Sequence, residues 1–386
     1  MKNNSSITTI EGIHYYSGKC IKVTIKNERI LSVKEIRENK NIKQIIAPGL
    51  VDLQINGYKG FDFNKRALNK EEWDNVIQFL IKIGITTFFP TIITNSFEKL
   101  CEIFEKNMET LKNTNMYNGI VGGFHLEGPY LSPFDGPRGA HKKKFIKPPN
   151  WKEFCNIQQS AQGQIKMITL SPEWDDSISF IEKATKSGVK VFIGHTKANS
   201  SQIHEAVKAG AVLSTHLGNG ANLTLPRHPN YIWDQLAEDS LWTSVISDGH
   251  HLPSNVLRVF QKVKLDKLIL VSDSVALTGK PPGEYLTSIG GEVTLTPSGR
   301  LHLKNNPNLL AGSAQSLLQG IQRCINQGIT SKAEAIKKAS IYPAALMDLF
   351  VKEGLSNNAL ADIITINTEG DEWKIEKLFK KGVQML

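Results

Sequence analysis

Between residues 45 and 274 the chain alternates short runs of apolar and β-branched residues with segments whose apolar positions recur at helical spacing. Eight such runs end near Gln54, Thr91, Glu127, Glu173, His195, His216, Asp248 and Asp273, each reading as a strand with a helix following most of them. The helical reading is clearest over 71–83, where Trp73, Val76, Phe79 and Leu80 fall on one face and Gly84 acts as a stop. Segment 175–187 opens on Asp175 and Asp176 and closes at Gly188, with acidic residues where a helix N-terminus favours them. Eight strand–helix units predict an α/β fold, a TIM-like (β/α)8 barrel.

Outside these units the period shifts to that of extended chain. Residues 21–36 form two strand-like runs around Asn27-Glu28, a hairpin signal. Residues 359–375 read as extended up to the turn Glu369-Gly370-Asp371, and 290–303 as a hairpin turning at Pro297-Ser298-Gly299. Both chain ends are β-rich, so a small β domain formed from the N- and C-terminal segments is expected. The divisions are 1–46 and 351–386 for that domain and 47–350 for the catalytic barrel. No internal repeat or low-complexity tract interrupts the pattern.

At 386 residues the chain suits a barrel of about 250 residues with an added module. Its formal charge of +9 arises from 46 basic against 37 acidic residues spread along the chain. Without a basic cluster no nucleic-acid partner is expected, and the excess lysine reads as solvated surface with a weak pull on anionic substrates. Cys20, Cys101, Cys155 and Cys324 are far apart with no C-x-x-C pair, which suggests reduced thiols packed in the interior. The first twenty residues carry no leader-like apolar core, and no segment is long and apolar enough for a membrane span. The expectation is a cytoplasmic enzyme with no membrane partner.

Chemistry concentrates at the strand ends. Glu127 follows Phe124 and Leu126, which mark a buried strand; a carboxylate there is a ligand or half of a buried salt bridge. His195 and His216 close consecutive units, and a single such histidine would read as a hydrogen-bonded core residue. Two of them with a carboxylate make a three-ligand set of the kind that leaves a catalytic metal one open position. The absence of thiolate leaves zinc, iron, manganese or cobalt in play. Asp273 is the candidate base, its alternative being a cap for the following turn.

The stretches HLEGPYLSPFDGPRGAH, IGHT, STHLGN, SDGHHLP, LVSDSVALTG and LAGSAQSL, in this order, resemble the N-acetylglucosamine-6-phosphate deacetylases of the amidohydrolase superfamily. The likeness runs from APGLVDLQINGYKGFDFN at 47–64 to ADIITIN near the end. It implies removal of the acetyl group from N-acetyl-D-glucosamine 6-phosphate, giving glucosamine 6-phosphate and acetate. It implies one divalent metal per subunit, zinc by preference, held by Glu127, His195 and His216, with Gln54 and Asn56 where related hydrolases place the histidines of a second metal. Asp273 would move the proton of the attacking water to the departing amine, and His141 would hydrogen-bond the acetyl carbonyl. By its own sequence context His141 opens HKKK and reads equally as exposed. Asn219, the Gly220 amide, His251 and Arg227 would bind phosphate, Arg227 crossing from the neighbouring subunit of a homodimer; by itself Arg227 reads as a surface residue.

Two departures from the pattern of that family stand out. Gly218, Gly220 and Ala221 stand where bulkier residues are common, which predicts a wider or reshaped sugar pocket. His228 replaces an acidic residue, and His250 adds an imidazole beside His251. A related substrate is the alternative, whether N-acetylgalactosamine 6-phosphate, an unphosphorylated N-acetyl sugar or an N-acyl-amino acid. A catalytically inactive sugar-phosphate-binding protein is a further one.

Overall fold

The computed structural model describes residues 7–112, 119–287 and 291–386. All eight expected strands form. They are β5 (Leu50–Ile55), β8 (Ile85–Ile93), β9 (Phe124–Glu127), β10 (Ile165–Leu170), β11 (Lys190–Ile193), β12 (Ala211–Ser214), β13 (Trp242–Ile246) and β14 (Leu268–Val271). They pair in parallel in the order β5-β8-β9-β10-β11-β12-β13-β14. Asp273 N–H donates to Gln54 O at 2.9 Å and Asn56 N–H to Ser274 O at 2.8 Å, so the last strand meets the first and the barrel closes. Parallel strands buried on both faces need apolar residues on both. Val51, Leu53, Phe89, Met167, Phe192, Leu213, Ile246, Ile269 and Val271 pack inside, beside Ala344 and Leu346. The alternate residues, such as Leu50, Phe88, Phe124 and Leu126, pack outward against the helices.

The helices begin where their sequences supply caps. Asn69 caps Lys70–Ile81 and exchanges hydrogen bonds with Glu72; Asn199 with Gln202 and Ser316 with Gln319 repeat the device on Ser200–Ala209 and Leu317–Asn326. Each such box satisfies two backbone donors that the helix itself leaves unpaired. The Asp175-Asp176 segment is helical over Ser177–Lys186.

The two termini share one seven-stranded sheet. From the N-terminal side come β1 (Ile7–His14), β2 (Cys20–Lys26), β3 (Arg29–Glu35) and β4 (Ile45–Pro48); from the C-terminal side come β19 (Ile363–Asn367), β20 (Lys374–Lys380) and β21 (Val383–Gln384). The seam is β4, parallel to β1 and antiparallel to β19. Lys380 anchors the sheet to the barrel, its ammonium 2.7 Å from Asp362 Oδ2 and 3.1 Å from Thr87 Oγ1 on β8. Both charges are buried. Lys380→Ala would leave a buried carboxylate without its cation, and is expected to lower stability by about 3–5 kcal/mol in equilibrium denaturation.

The expected hairpin near 290–303 is one part of a larger unit, apart from Gly290, which lies outside the described residues. Strands β15 (Gly283–Thr287), β16 (Gly291–Leu295), β17 (Leu301–Leu303) and β18 (Asn306–Leu310) form a four-stranded antiparallel meander. The thiols also differ from expectation. Cys20 and Cys324 are buried, but Cys101 is only partly so and Cys155 is exposed, because on its amphipathic helix Trp151–Ser160 the buried face is held by Phe154 and Ile157.

Candidate functional site

Three strand ends on adjacent parts of the barrel rim bring Glu127, His195 and His216 together. Glu127 Oε1 lies 3.0 Å from His216 Nε2 and 3.3 Å from His195 Nε2, and the two imidazole nitrogens are 3.1 Å apart. All three residues are buried. Donors bound tetrahedrally at about 2.0–2.1 Å stand roughly 3.3 Å from one another, so this triangle has the size a zinc-like cation requires. The chemistry of the donors agrees. His195 Nδ1 is 2.8 Å from the carbonyl oxygen of Pro137, which can only accept, so the proton sits on Nδ1 and the Nε2 lone pair faces the cluster. Burial alone would raise the Glu127 carboxyl, but the imidazoles of His195 and His216 beside it hold it well below the usual carboxylate range. His216 is raised despite its burial because Glu127 supports its cationic form. A carboxylate and converging imidazole nitrogens thus attract positive charge, and a divalent cation fits that demand better than protons crowded among the rings.

A second triplet shares two members. The ligand atoms of Glu127, His141 and His195 lie within 4.8 Å of one another. The set containing His216 is the tighter, every side of its triangle being 3.3 Å or less. His141 is instead turned by Thr94, whose Oγ1 is 2.8 Å from His141 Nδ1. His195 Nε2 presents its lone pair to His141 Nε2, so the neutral His141 ring carries its proton there and its Nδ1 accepts from the Thr94 hydroxyl. That N–H points at His195 Nε2 from 3.3 Å. Burial and the neighbouring His195 push the His141 pKa down to about 3, so the ring is a neutral donor. The expectation of an exposed histidine does not hold: the loop from Gly128 to His141 folds back over the rim, with Ser132 N–H on His195 O at 2.9 Å and Arg138 on His141 O at 2.7 Å.

Asp273 follows β14. Asn56 Nδ2 donates to its Oδ1 at 2.7 Å, and Gln54 Nε2 donates to Glu127 Oε1 at 3.0 Å. The two amides of the first strand therefore turn N–H groups toward the carboxylates, an arrangement a second cation at that place would oppose. Burial, with the negative charge of Glu127, pushes the Asp273 carboxyl up to about 6, against the pull of His216 and His251. A carboxyl poised near neutrality is suited to both accepting and returning a proton.

His195, His216 and Asp273 have φ of 49°, 31° and 47°, in the left-handed region. Non-glycine residues held there cost on the order of 1 kcal/mol or more each and cluster at functional sites. All three fall just past the end of a barrel strand, where the chain leaves the sheet.

The phosphate candidates are more dispersed. His251 Nδ1 is 2.7 Å from Asp248 Oδ2, and the backbone N–H groups of His250 and His251 both reach Asp248 Oδ1 at 2.9 Å. Burial would raise Asp248, but these bonds, led by the one from His251, bring its carboxyl to about 2. Nδ1 of His251 is thereby committed, which leaves Nε2 as the ring nitrogen for a ligand. His250 does not join it: its Nε2 lies 3.2 Å from Ser298 O on the meander. The Asn219 amide donates to His216 O at 3.2 Å and closes the turn. Arg227 is exposed on the loop 221–230, and among the described residues no side-chain hydrogen bond or ion pair ties it to the cluster.

The glycines near His216 do not open the pocket in the simple way their small size suggests. A Cβ on Gly218 would stand 2.8 Å from Leu252 Cδ2, whose side chain already occupies that space. At Gly220, with φ +56°, a Cβ would come 2.5 Å from His195 Nδ1. Gly220→Ala is therefore expected to tilt the His195 ring and lower bound metal several-fold while costing about 1–3 kcal/mol of stability; metal analysis and thermal melts of the purified variant measure both.

Thr94, the Pro137 carbonyl and Asp248 were assigned no part from sequence. Thr94 and Asp248 each follow a barrel strand at the rim, the same placement that marked Glu127, and that is the signal that could have found them. Pro137 acts through its backbone and leaves no such signal.

No protein-family model matches the chain. It is similar to the curated N-acetylglucosamine-6-phosphate deacetylase of Danio rerio, 29% identical over 343 residues covering 86% of this chain and 81% of the relative. To the enzyme of the same description from Bacillus subtilis it is 28% identical over 356 residues, 91% of this chain and 87% of the relative. Among solved structures, the N-acetylglucosamine-6-phosphate deacetylase of Thermotoga maritima superposes with a TM-score of 0.85 at 25% identity over 98% of this chain and 99% of that one. The resemblance read from the motifs thus extends over most of the chain, and the barrel with its terminal β domain is the fold these proteins share.

Proposed function

We propose that the chain is a metal-dependent hydrolase that converts N-acetyl-D-glucosamine 6-phosphate to D-glucosamine 6-phosphate and acetate in amino-sugar catabolism. The observation that carries this reading is the triangle of Glu127, His195 and His216 with His141 and Asp273 on the same rim, supported by the likeness to deacetylases across most of the chain. One divalent cation per subunit, zinc in preference to iron, manganese or cobalt, would be held by Glu127, His195 and His216. It would supply a Lewis acid for the acetyl carbonyl and make water a nucleophile near neutral pH.

The chain's own groups perform the proton work. Asp273, held by Asn56, accepts a proton as the oxygen of water attacks the acetyl carbon, and returns it to the nitrogen as the C–N bond breaks. His141, a neutral donor through Nε2, stabilises the negative charge that grows on the carbonyl oxygen. Each contribution of this kind is on the order of a few kcal/mol in the transition state. At the other end of the substrate, His251, Asn219, the Gly220 amide and Arg227 receive the phosphate. A phosphorylated sugar does not diffuse across membranes, and this substrate class supports a cytoplasmic enzyme.

Acetate release from a panel of N-acetylglucosamine 6-phosphate, N-acetylgalactosamine 6-phosphate, free N-acetylglucosamine and an N-acetyl-amino acid tests the reading. The first is expected to react fastest; an equal rate with the free sugar would remove the phosphate role of His251 and Arg227. Arg227 is proposed to act across a homodimer. Mixing inactive Arg227→Ala and Asp273→Asn subunits is then expected to recover activity, since hybrid dimers contain one complete site; no recovery would place Arg227 within its own subunit or outside the site.

A further inference from the structure

A groove of about 630 Å³ lies away from the metal cluster, between the helix Leu317–Asn326, the β15–β18 meander and the turn that leads into β20. One face of the helix lines it: Gln319, Arg323 and Asn326 recur at helical spacing, and Arg323 lies across the backbone of Gly249, where a Cβ would stand 2.5 Å from its Nη1. Nε of Arg323 is buried with no hydrogen-bond partner. Lys280 comes from the opposite wall, and Asp371, Glu372 and Trp373 from the turn. Among the described residues no ion pair includes Arg323, Lys280, Asp371 or Glu372, so two cations and two carboxylates share one groove without neutralising each other.

The side chain of Arg323 makes no hydrogen bond or ion pair among the described residues although it lines the groove, so its terminal N–H groups can meet an acceptor that enters there. We propose that the groove is a second ligand site, for a small phosphate ester that also carries hydroxyl or ammonium groups. Arg323 and Lys280 take the phosphate, with Gln319 and Asn326 as amide donors; a planar fork and a point charge are the usual pair for such an anion. Asp371 and Glu372 accept from the hydroxyl or ammonium end and disfavour polyanions. Trp373 offers an apolar face to a sugar ring. An amino-sugar phosphate has this distribution of charge, and choosing glucosamine 6-phosphate as its representative rests on the function proposed above. Arg323 lies on Gly249, between Asp248 and His250, so the residue that takes the phosphate also packs on the loop that holds His251.

Calorimetric titration of the metal-loaded enzyme with glucosamine 6-phosphate is expected to show two sites per chain. Arg323→Ala combined with Lys280→Ala is expected to weaken one at least tenfold, and His251→Ala to weaken the other. Lys280→Ala by itself, at an exposed position, is expected to weaken the same site in a protein with an unchanged melting curve. Inorganic phosphate competes for it, and glucosamine without phosphate does not. A single site, lost with His251→Ala and indifferent to Arg323 and Lys280, overturns the proposal. If no acetate is released from N-acetylglucosamine 6-phosphate while the site at Arg323 still binds, only the catalytic reading falls.

Discussion

The Asp273→Asn protein is expected to release acetate about 10²–10⁴ times more slowly than the native enzyme, the range over which a positioned acid–base group contributes, with its metal content unchanged. Asparagine keeps the size of the side chain and can still meet Asn56 by turning its amide, so the left-handed backbone and the neighbouring cluster have no reason to move. What is lost is a basic oxygen held close to neutrality by burial and the charge of Glu127. Steady-state rates with metal analysis on the same sample decide the matter. A variant with native turnover would remove Asp273 from the proton path, and one depleted of metal would make it a ligand.

The largest effect is expected from His195→Ala. Its ring is the junction of the site, within 3.3 Å of Glu127, His141 and His216 and tied to the Pro137 carbonyl. Removing it takes one of three ligands and also the ring's contact with the Pro137 carbonyl, one of those that hold the loop from Gly128 to His141 over the rim. Bound metal is expected to fall below stoichiometric and turnover to drop beyond the Asp273→Asn level. A ligand that binds only the folded state stabilises it by about 2.7 kcal/mol at one hundred times its dissociation constant. Chelation of the native protein should therefore lower its melting temperature, and the same treatment should leave His195→Ala unaffected. A chelator-treated protein with full activity would end the metal reading altogether.

The barrel strands were legible because parallel strands covered on both faces leave continuous apolar runs, and Leu268-Ile-Leu-Val271 or Val191-Phe-Ile193 can hardly be read otherwise. The capped helices were legible for a similar reason: Trp73, Val76 and Leu80 sit on one face and Gly84 ends the pattern. The meander was read short, since neither β15 nor β18 buries a residue fully, and β15 turns Leu286 to solvent beside Glu284 rather than keeping its apolar residues on one face. At the site, strand-end placement drew attention to Glu127, His195, His216 and Asp273. The orientation of each ring was beyond reach, because it is set by partners remote in sequence: Thr94 for His141 and the Pro137 carbonyl for His195. At the glycines, the choice between a widened and a reshaped pocket was beyond the sequence for a physical reason. Counting lost side-chain volume ignores what moves into it, and Leu252 had already filled the space beside Gly218.

The seam of the terminal sheet has a consequence for biosynthesis. β4 ends at Pro48, but the strand that covers its other edge begins only at Ile363. On the ribosome, a half-built sheet must wait with one flank bare while nearly the whole barrel is translated, and bare strand flanks recruit one another. Shortened products ending before Ile363 should consequently gather into insoluble material even where their barrel is entire.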